Sequence, residues 1–245
     1  EELKSARPAC DGSGVMDRER VTGLLRIRNR VAKVFSIAAE GVPIAGAVMA
    51  LGFAVSLLGF AWPGALIIVA AFAVAAFFRD PERAQKNHEG AVTSGADGKV
   101  TDIGEGCLPG GSHEEHYRRV SVFMSPFDVH VNRAPISGEV ISVEHTAGKF
   151  GPAFRDEASE HNERNLIVLS DAVGRRHAMV QVAGYLARRI VCRLRPADLI
   201  ERGERVGMIM FGSRVDHFMP LEYRIAVEIG DRVRAGESII GERQR

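Results

Sequence analysis

The longest uninterrupted pattern in the chain is apolar: from Gly41 to Phe78, 38 consecutive residues contain no Asp, Glu, Lys, Arg or His. A single straight helix of that length would reach about 57 Å at 1.5 Å per residue, nearly twice a hydrocarbon core of about 30 Å. The run must therefore break, and Gly59-Phe60-Ala61-Trp62-Pro63-Gly64 supplies the break. Pro63 removes an amide donor, the glycines permit a turn and Trp62 suits an interface. Two helices are predicted, from segments of 18 and 14 residues on either side of the break. After Arg79 the pattern changes to short β-branched runs punctuated by glycine: Ala91–Thr93, Lys99–Ile103, Arg119–Phe123, Glu139–Val143 and Leu166–Leu169. Further strands are predicted at His177–Val182, Arg189–Leu194 and Glu222–Val227. Strands at this spacing predict closely linked sheets. The expected fold class is α+β, a β-rich domain preceded by an N-terminal helical membrane hairpin. The expected organisation is a flexible extension over 1–16, with Met16 a candidate start, a basic interfacial helix over 17–40, the hairpin over 41–78 and the β-rich domain over 79–245.

Charge around the apolar run refines the hairpin. Arg20, Arg26, Arg28, Arg30 and Lys33 precede it, and Arg79, Arg83 and Lys86 follow it. Positive residues on both flanks place both ends in the cytoplasm, with the hairpin either just spanning or re-entrant. The expected location is the cell inner membrane, with the β-rich domain facing the cytoplasm. Cations mixed with apolar residues between Val21 and Ala38 suggest a helix lying on an anionic lipid surface. The first long apolar stretch begins too late, and is too long, for a secretory signal. A buried hairpin in the core of a soluble protein is the competing reading, and the length of the uncharged run argues against it.

Overall charge is nearly balanced, with 32 basic and 31 acidic residues and a formal net charge of +1. That excludes a general nucleic-acid binder, which would carry a basic excess. Cys10, Cys107 and Cys192 are odd in number and widely spaced, so neither a disulfide framework nor a zinc site is expected. No metal is expected. A homo-oligomer is compatible with the composition, which does not specify one.

A Gly-Ser pair by itself is a common loop dipeptide. Here Gly212-Ser213 stands in Gly207-Met208-Ile209-Met210-Phe211-Gly212-Ser213-Arg214-Val215-Asp216. Other blocks accompany it in order: Phe77–Pro81, Gly95–Gly98, Phe123–Pro135, Asn162–Asn165 and Gln181–Ile190. Together these blocks, over about residues 40–241, resemble the short, type A (archaeal-like) pyruvoyl-dependent phosphatidylserine decarboxylase proenzymes. The C-terminal stretch Glu228–Gly241 further resembles biotinyl/lipoyl-type barrel-sandwich folds, without a lysine in a carrier position. The chemistry has its own logic. A serine hydroxyl can attack the carbonyl of the residue before it, and glycine leaves that carbonyl open. β-Elimination of the resulting ester and hydrolysis would leave a pyruvoyl group on the downstream chain, with loss of ammonia. Residues 1–212 and 213–245 would then be separate, associated chains.

The resemblance implies a pyruvoyl cofactor derived from Ser213 that forms a Schiff base with phosphatidylserine and releases phosphatidylethanolamine and carbon dioxide. The protein's partners would be that lipid, the membrane and its own cleaved fragments. His130 is the first candidate for proton transfer, within Asp128-Val129-His130-Val131-Asn132-Arg133. Asp97 resembles the family aspartate that supports self-cleavage, and a turn-forming role before Gly98 stays open. Longer bacterial relatives carry a second histidine where this chain has Arg133, so Arg133 is a candidate for substrate carboxylate or phosphate. Asn132 and Arg164 are further substrate-binding candidates. His217, close after Ser213, is a candidate helper in processing, whereas His113 and His116 sit in a polar loop without a metal-binding pattern. Two alternatives compete: a decarboxylase of another serine lipid such as archaetidylserine, and a non-catalytic membrane adaptor that would stay uncut.

Overall fold

The computed structural model describes residues 36–84, 90–109, 115–148, 151, 162–184, 189–210 and 212–244. The flexible extension and most of the interfacial helix expected over 1–40 lie outside the described residues, as do His113, Arg188 and Phe211. The chain divides into two compact units, Glu1–Ala75 and Ala76–Arg245.

The apolar run forms helices α1 (Gly41–Leu57) and α2 (Ala61–Phe77), each of 17 residues. Gly59, at φ +91°, turns the chain between them. Pro63 falls in the first turn of α2, where its missing N–H would have had no helical partner. Small residues bring the two backbones together. A Cβ on Gly64 would stand 2.7 Å from the Gly52 carbonyl oxygen, and one on Gly52 would meet the Ile68 backbone nitrogen at 3.0 Å. The large side chains turn away, leaving Leu57, Leu58, Trp62 and Leu66 between 70% and 88% exposed. Each helix is only about 25 Å long, and no helix among the described residues is long and apolar enough to cross a membrane. The membrane part of the expected fold class is therefore not shown by helix length.

The second unit is β-rich. Its strands are β1 (Ala91–Thr93), β2 (Gly98–Gly106), β3 (Tyr117–Met124), β4 (Val131–Arg133), β5 (Gly138–Thr146), β6 (Arg164–Ser170) and β7 (Arg176–Val182). They continue as β8 (Ile190–Cys192), β9 (Leu199–Ile200), β10 (Arg205–Ile209), β11 (Ser213–Pro220), β12 (Tyr223–Ile225), β13 (Arg232–Val233) and β14 (Ile239–Arg243). The main sheet has eight strands in the order β13-β2-β3-β11-β7-β6-β5-β9, and two three-stranded sheets run β4-β10-β8 and β1-β14-β12. All pairings in them are antiparallel. With two helices among the described residues, this is an α+β protein.

Alternation along the strands sorts side chains to the two faces of the large sheet. Val120, Val122, Met124, Ile167, Met179, Val215 and Met219 join the principal core, whereas Leu166, Val168, Val180, Val182 and Phe218 build a second cluster on the other face. Ser213 shares the parity of Val215 and so stands on the principal-core side. β11 lies between β3 and β7 near the middle of the sheet. Residues 213–245 thus contribute β11 and β13 to the large sheet and β12 and β14 to a small one, which would hold a cleaved fragment in place.

Candidate active site

Ser213 opens β11 opposite Met124 of β3 and is fully buried. Gly212 before it has φ +57°, a left-handed conformation costly for any residue with a Cβ. Nothing within 4 Å would meet a Cβ there, so backbone conformation, not crowding, favours glycine. The Ser213 hydroxyl donates to the Met124 sulfur at 3.5 Å, and Asn132 Nδ2 donates to the same sulfur at 3.6 Å. A thioether is a weak acceptor. Two buried donors therefore share one poor partner beside the Gly212–Ser213 bond.

The Asn132 amide is held from behind. Gln181 Nε2 donates to Asn132 Oδ1 at 2.8 Å, and Asn165 Nδ2 donates to Gln181 Oε1 at 3.0 Å. The Gln181 link joins β7 of the large sheet to β4 of a small one. Gln181 and Asn165 were not singled out as site residues in sequence. The available signal was parity: each is polar at a position in step with the core-facing Ile167 and Leu169 of β6 or Met179 of β7.

His130 stands just before β4, with its carbonyl accepting from Ile209 N at 3.3 Å. The ring is fully buried, 4.3 Å from the Phe77 ring between centroids. Nδ1 lies 2.9 Å from the Asp128 carbonyl oxygen, which can only accept, so Nδ1 carries the proton. Nε2 is then an unprotonated lone pair, and it has no hydrogen-bond partner among the described residues. Burial holds the ring neutral, with its pKa lowered to about 4. Asp128 itself accepts from Ser125 N at 2.8 Å and Oγ at 2.6 Å, which fixes the loop carrying His130.

The remaining candidates have partners of their own. Asp97 receives Arg83 Nη2 at 2.6 Å and the Ala235 amide at 2.8 Å. Burial raises its pKa even against those two partners. Arg133 is buried, donating to Asp80 at 2.8 Å and to the carbonyls of Pro81 and Gly203, both at 2.9 Å. Asp80 also binds Arg205. Arg164 opens β6 in line with Val182 and Arg214, on the face opposite Ser213. His217 is clamped: Nε2 accepts from Gly95 N at 2.7 Å and Nδ1 donates to the Val120 carbonyl at 3.2 Å. Nε2 thereby holds the turn that carries Asp97, and Nδ1 ties the ring to β3. The structure thus gathers Ser213, Gly212 and Asn132, with His130 on the segment joining Met124 to β4. It gives Asp97, Arg133 and Arg164 other neighbours.

A buried serine after a left-handed glycine, sharing a weak acceptor with one amide donor, is an arrangement that serine chemistry could use. Comparison with known proteins makes the class specific. The family profile described as phosphatidylserine decarboxylase matches residues 70–241. A phosphatidylserine decarboxylase proenzyme of Syntrophus aciditrophicus is 43% identical over 212 residues, covering 84% of this chain and 96% of that protein. Those of Solidesulfovibrio magneticus and Desulfotalea psychrophila are 41% and 44% identical, covering 86% and 84% of this chain and 97% and 96% of theirs. The chain belongs to the phosphatidylserine decarboxylase family.

Proposed function

We propose that the chain is a membrane-anchored proenzyme that cuts itself between Gly212 and Ser213 and then decarboxylates phosphatidylserine to phosphatidylethanolamine. The observation that carries this reading is the fully buried Ser213 at the left-handed Gly212, whose hydroxyl shares one weak sulfur acceptor with the Asn132 amide. In the first step Ser213 Oγ bonds to the Gly212 carbonyl carbon, negative charge moves to the carbonyl oxygen, and the C–N bond then breaks as the proton passes from Oγ to nitrogen. Asn132 Nδ2 is the donor for that oxyanion, and His130 Nε2 is the proton carrier. Exclusion of water at Ser213 protects the ester until β-elimination releases the Gly212 carboxylate.

A pyruvoyl group formed there would supply an electrophilic carbonyl for the substrate amine and an electron sink for decarboxylation. The residues present fit such a group: Asn132 offers a donor to a keto oxygen, and no acidic side chain hydrogen-bonds to Ser213 or Asn132 among the described residues. His130, neutral at physiological pH with an unprotonated Nε2, can take up a proton there and pass it to the product carbon. Arg133 and Asp97 are assigned to the scaffold, because both are engaged within the protein. Exposed apolar side chains on α1 and α2 support a hairpin embedded in the inner membrane, and the flanking cations support a cytoplasmic β-rich unit.

The test is lipid conversion by the purified full chain in mixed micelles. Diacyl phosphatidylserine should yield phosphatidylethanolamine, and Ser213→Ala should yield none. Conversion of an ether-linked serine lipid in preference to the diacyl form would reassign the substrate. Undiminished conversion by Ser213→Ala would end the proposal.

A further inference from the structure

We infer that Gln181 is a positioning residue for self-cleavage, fixing the Asn132 amide so that its nitrogen, and not its oxygen, faces Ser213. The inference rests on the serine-processing reading above. A primary amide has nearly the same shape at both ends, so only its hydrogen-bond partner decides which end faces which way. Gln181 Nε2 occupies Asn132 Oδ1 at 2.8 Å, and Gln181 Oε1 is in turn occupied by Asn165 Nδ2 at 3.0 Å. Each amide in the series thus orients the next, and the last one presents Nδ2 to the Met124 sulfur beside the Ser213 hydroxyl. Asn132, Gln181 and Asn165 are each at most 2% exposed, so water does not scramble the directions.

The relay also reaches across the fold. Asn165 faces Gln181 across β6 and β7, Gln181 faces Val215 across β7 and β11, and Asn132 belongs to the sheet of β4, β10 and β8. A change at Asn165, two strands from β11, should therefore alter the group presented to Ser213 without touching it. Losing a donor aimed at a developing oxyanion slows comparable reactions by about 100- to 1,000-fold.

Two near-isosteric substitutions test the direction of the relay. In Gln181→Glu the ionised carboxylate can only accept, so Asn132 turns Nδ2 toward it and Oδ1 toward Ser213. In Asn165→Asp the same inversion passes through Gln181. Cleavage of freshly synthesised full-length chain is followed by gel over about pH 5–9, a range chosen because burial raises carboxyl titration. Each rate is divided by that of the unmodified chain at the same pH. Both variants should cleave about 100-fold slower at the alkaline end, and recover as pH falls and the carboxyl gains a proton to donate.

Cleavage at the unmodified rate, or a slowing that does not change with pH, overturns the inference. If Gln181→Glu gives no cooperative melt, Asn165→Asp decides the matter. Failure of the unmodified chain to cleave between Gly212 and Ser213 would instead refute the underlying reading.

Discussion

His177 offers a prediction that runs against the usual cost of altering a core. It lies in β7 at 1% exposure, packed edge-on against Tyr223 at 5.0 Å between centroids. Neither ring nitrogen has a hydrogen-bond partner among the described residues, and the Asp171 carboxylate approaches no nearer than 3.9 Å. Burial lowers its pKa from 6.5 to about 4. The unfolded chain therefore binds the proton first as pH falls. The stability contributed by a neutral His177 is complete above about pH 6.5, shrinks through the window down to about pH 4, and is absent below it. At 1.36 kcal/mol per unit, the loss is about 3 kcal/mol. His177→Phe keeps the aromatic shape and removes both polar nitrogens. It should match or exceed the original stability at pH 7, because burying an unsatisfied polar group costs about 1–3 kcal/mol. At about pH 4 it should melt roughly 6–12 °C above the original, at 2–4 °C per kcal/mol for a domain of this size. The assay is thermal melting of the Ser213→Ala chain, with and without His177→Phe, across that pH range. A variant destabilised by more than about 1 kcal/mol at pH 7, or one with an unchanged pH profile, would show that the ring nitrogens are used.

Two further predictions concern the site and its support. His130→Ala should slow cleavage, decarboxylation or both by about 100-fold or more, measured by gel and by released carbon dioxide. Unchanged rates in both steps would remove His130 from the mechanism. Arg133→Met should destabilise the β-rich unit by about 1.5–3 kcal/mol, because it strips one of two cationic partners from buried Asp80 and leaves Arg205 in place. Denaturant melting measures that cost, and an Arg133→Met chain of full stability with raised KM would return Arg133 to the substrate.

The helices and most long strands were legible because their patterns are local. The turn at Gly59 and Pro63 divides the apolar run, and the β-branched runs at 99–103, 119–123, 139–143 and 166–169 all lie within strands. β11 was not predicted. Its residues Arg214, Asp216 and His217 are buried, so polarity does not alternate along it. An Arg214–Asp216 ion pair at 2.8 Å and the two bonds of His217 make that burial tolerable, and the His217 partners lie about a hundred positions away. β9 and β13 have two residues each, too few for any period to show. At the site, Ser213 and His130 were visible from their surrounding blocks. The commitment of Arg133 to Asp80, 53 positions earlier, was not, because pairing at that separation exists only once the sheets assemble. The amide relay was hidden for the same reason: its three members come from three strands.

The central claim is that Ser213 is consumed to make the cofactor. Intact-mass analysis of the purified chain tests it directly. The account predicts two fragments divided between Gly212 and Ser213, the smaller lighter by one ammonia than residues 213–245 with a free serine terminus, as replacement of that serine by pyruvoyl requires. Ser213→Ala should remain a single chain. A single uncut chain that still decarboxylates the lipid, or a fragment that begins with an intact serine, would contradict the account.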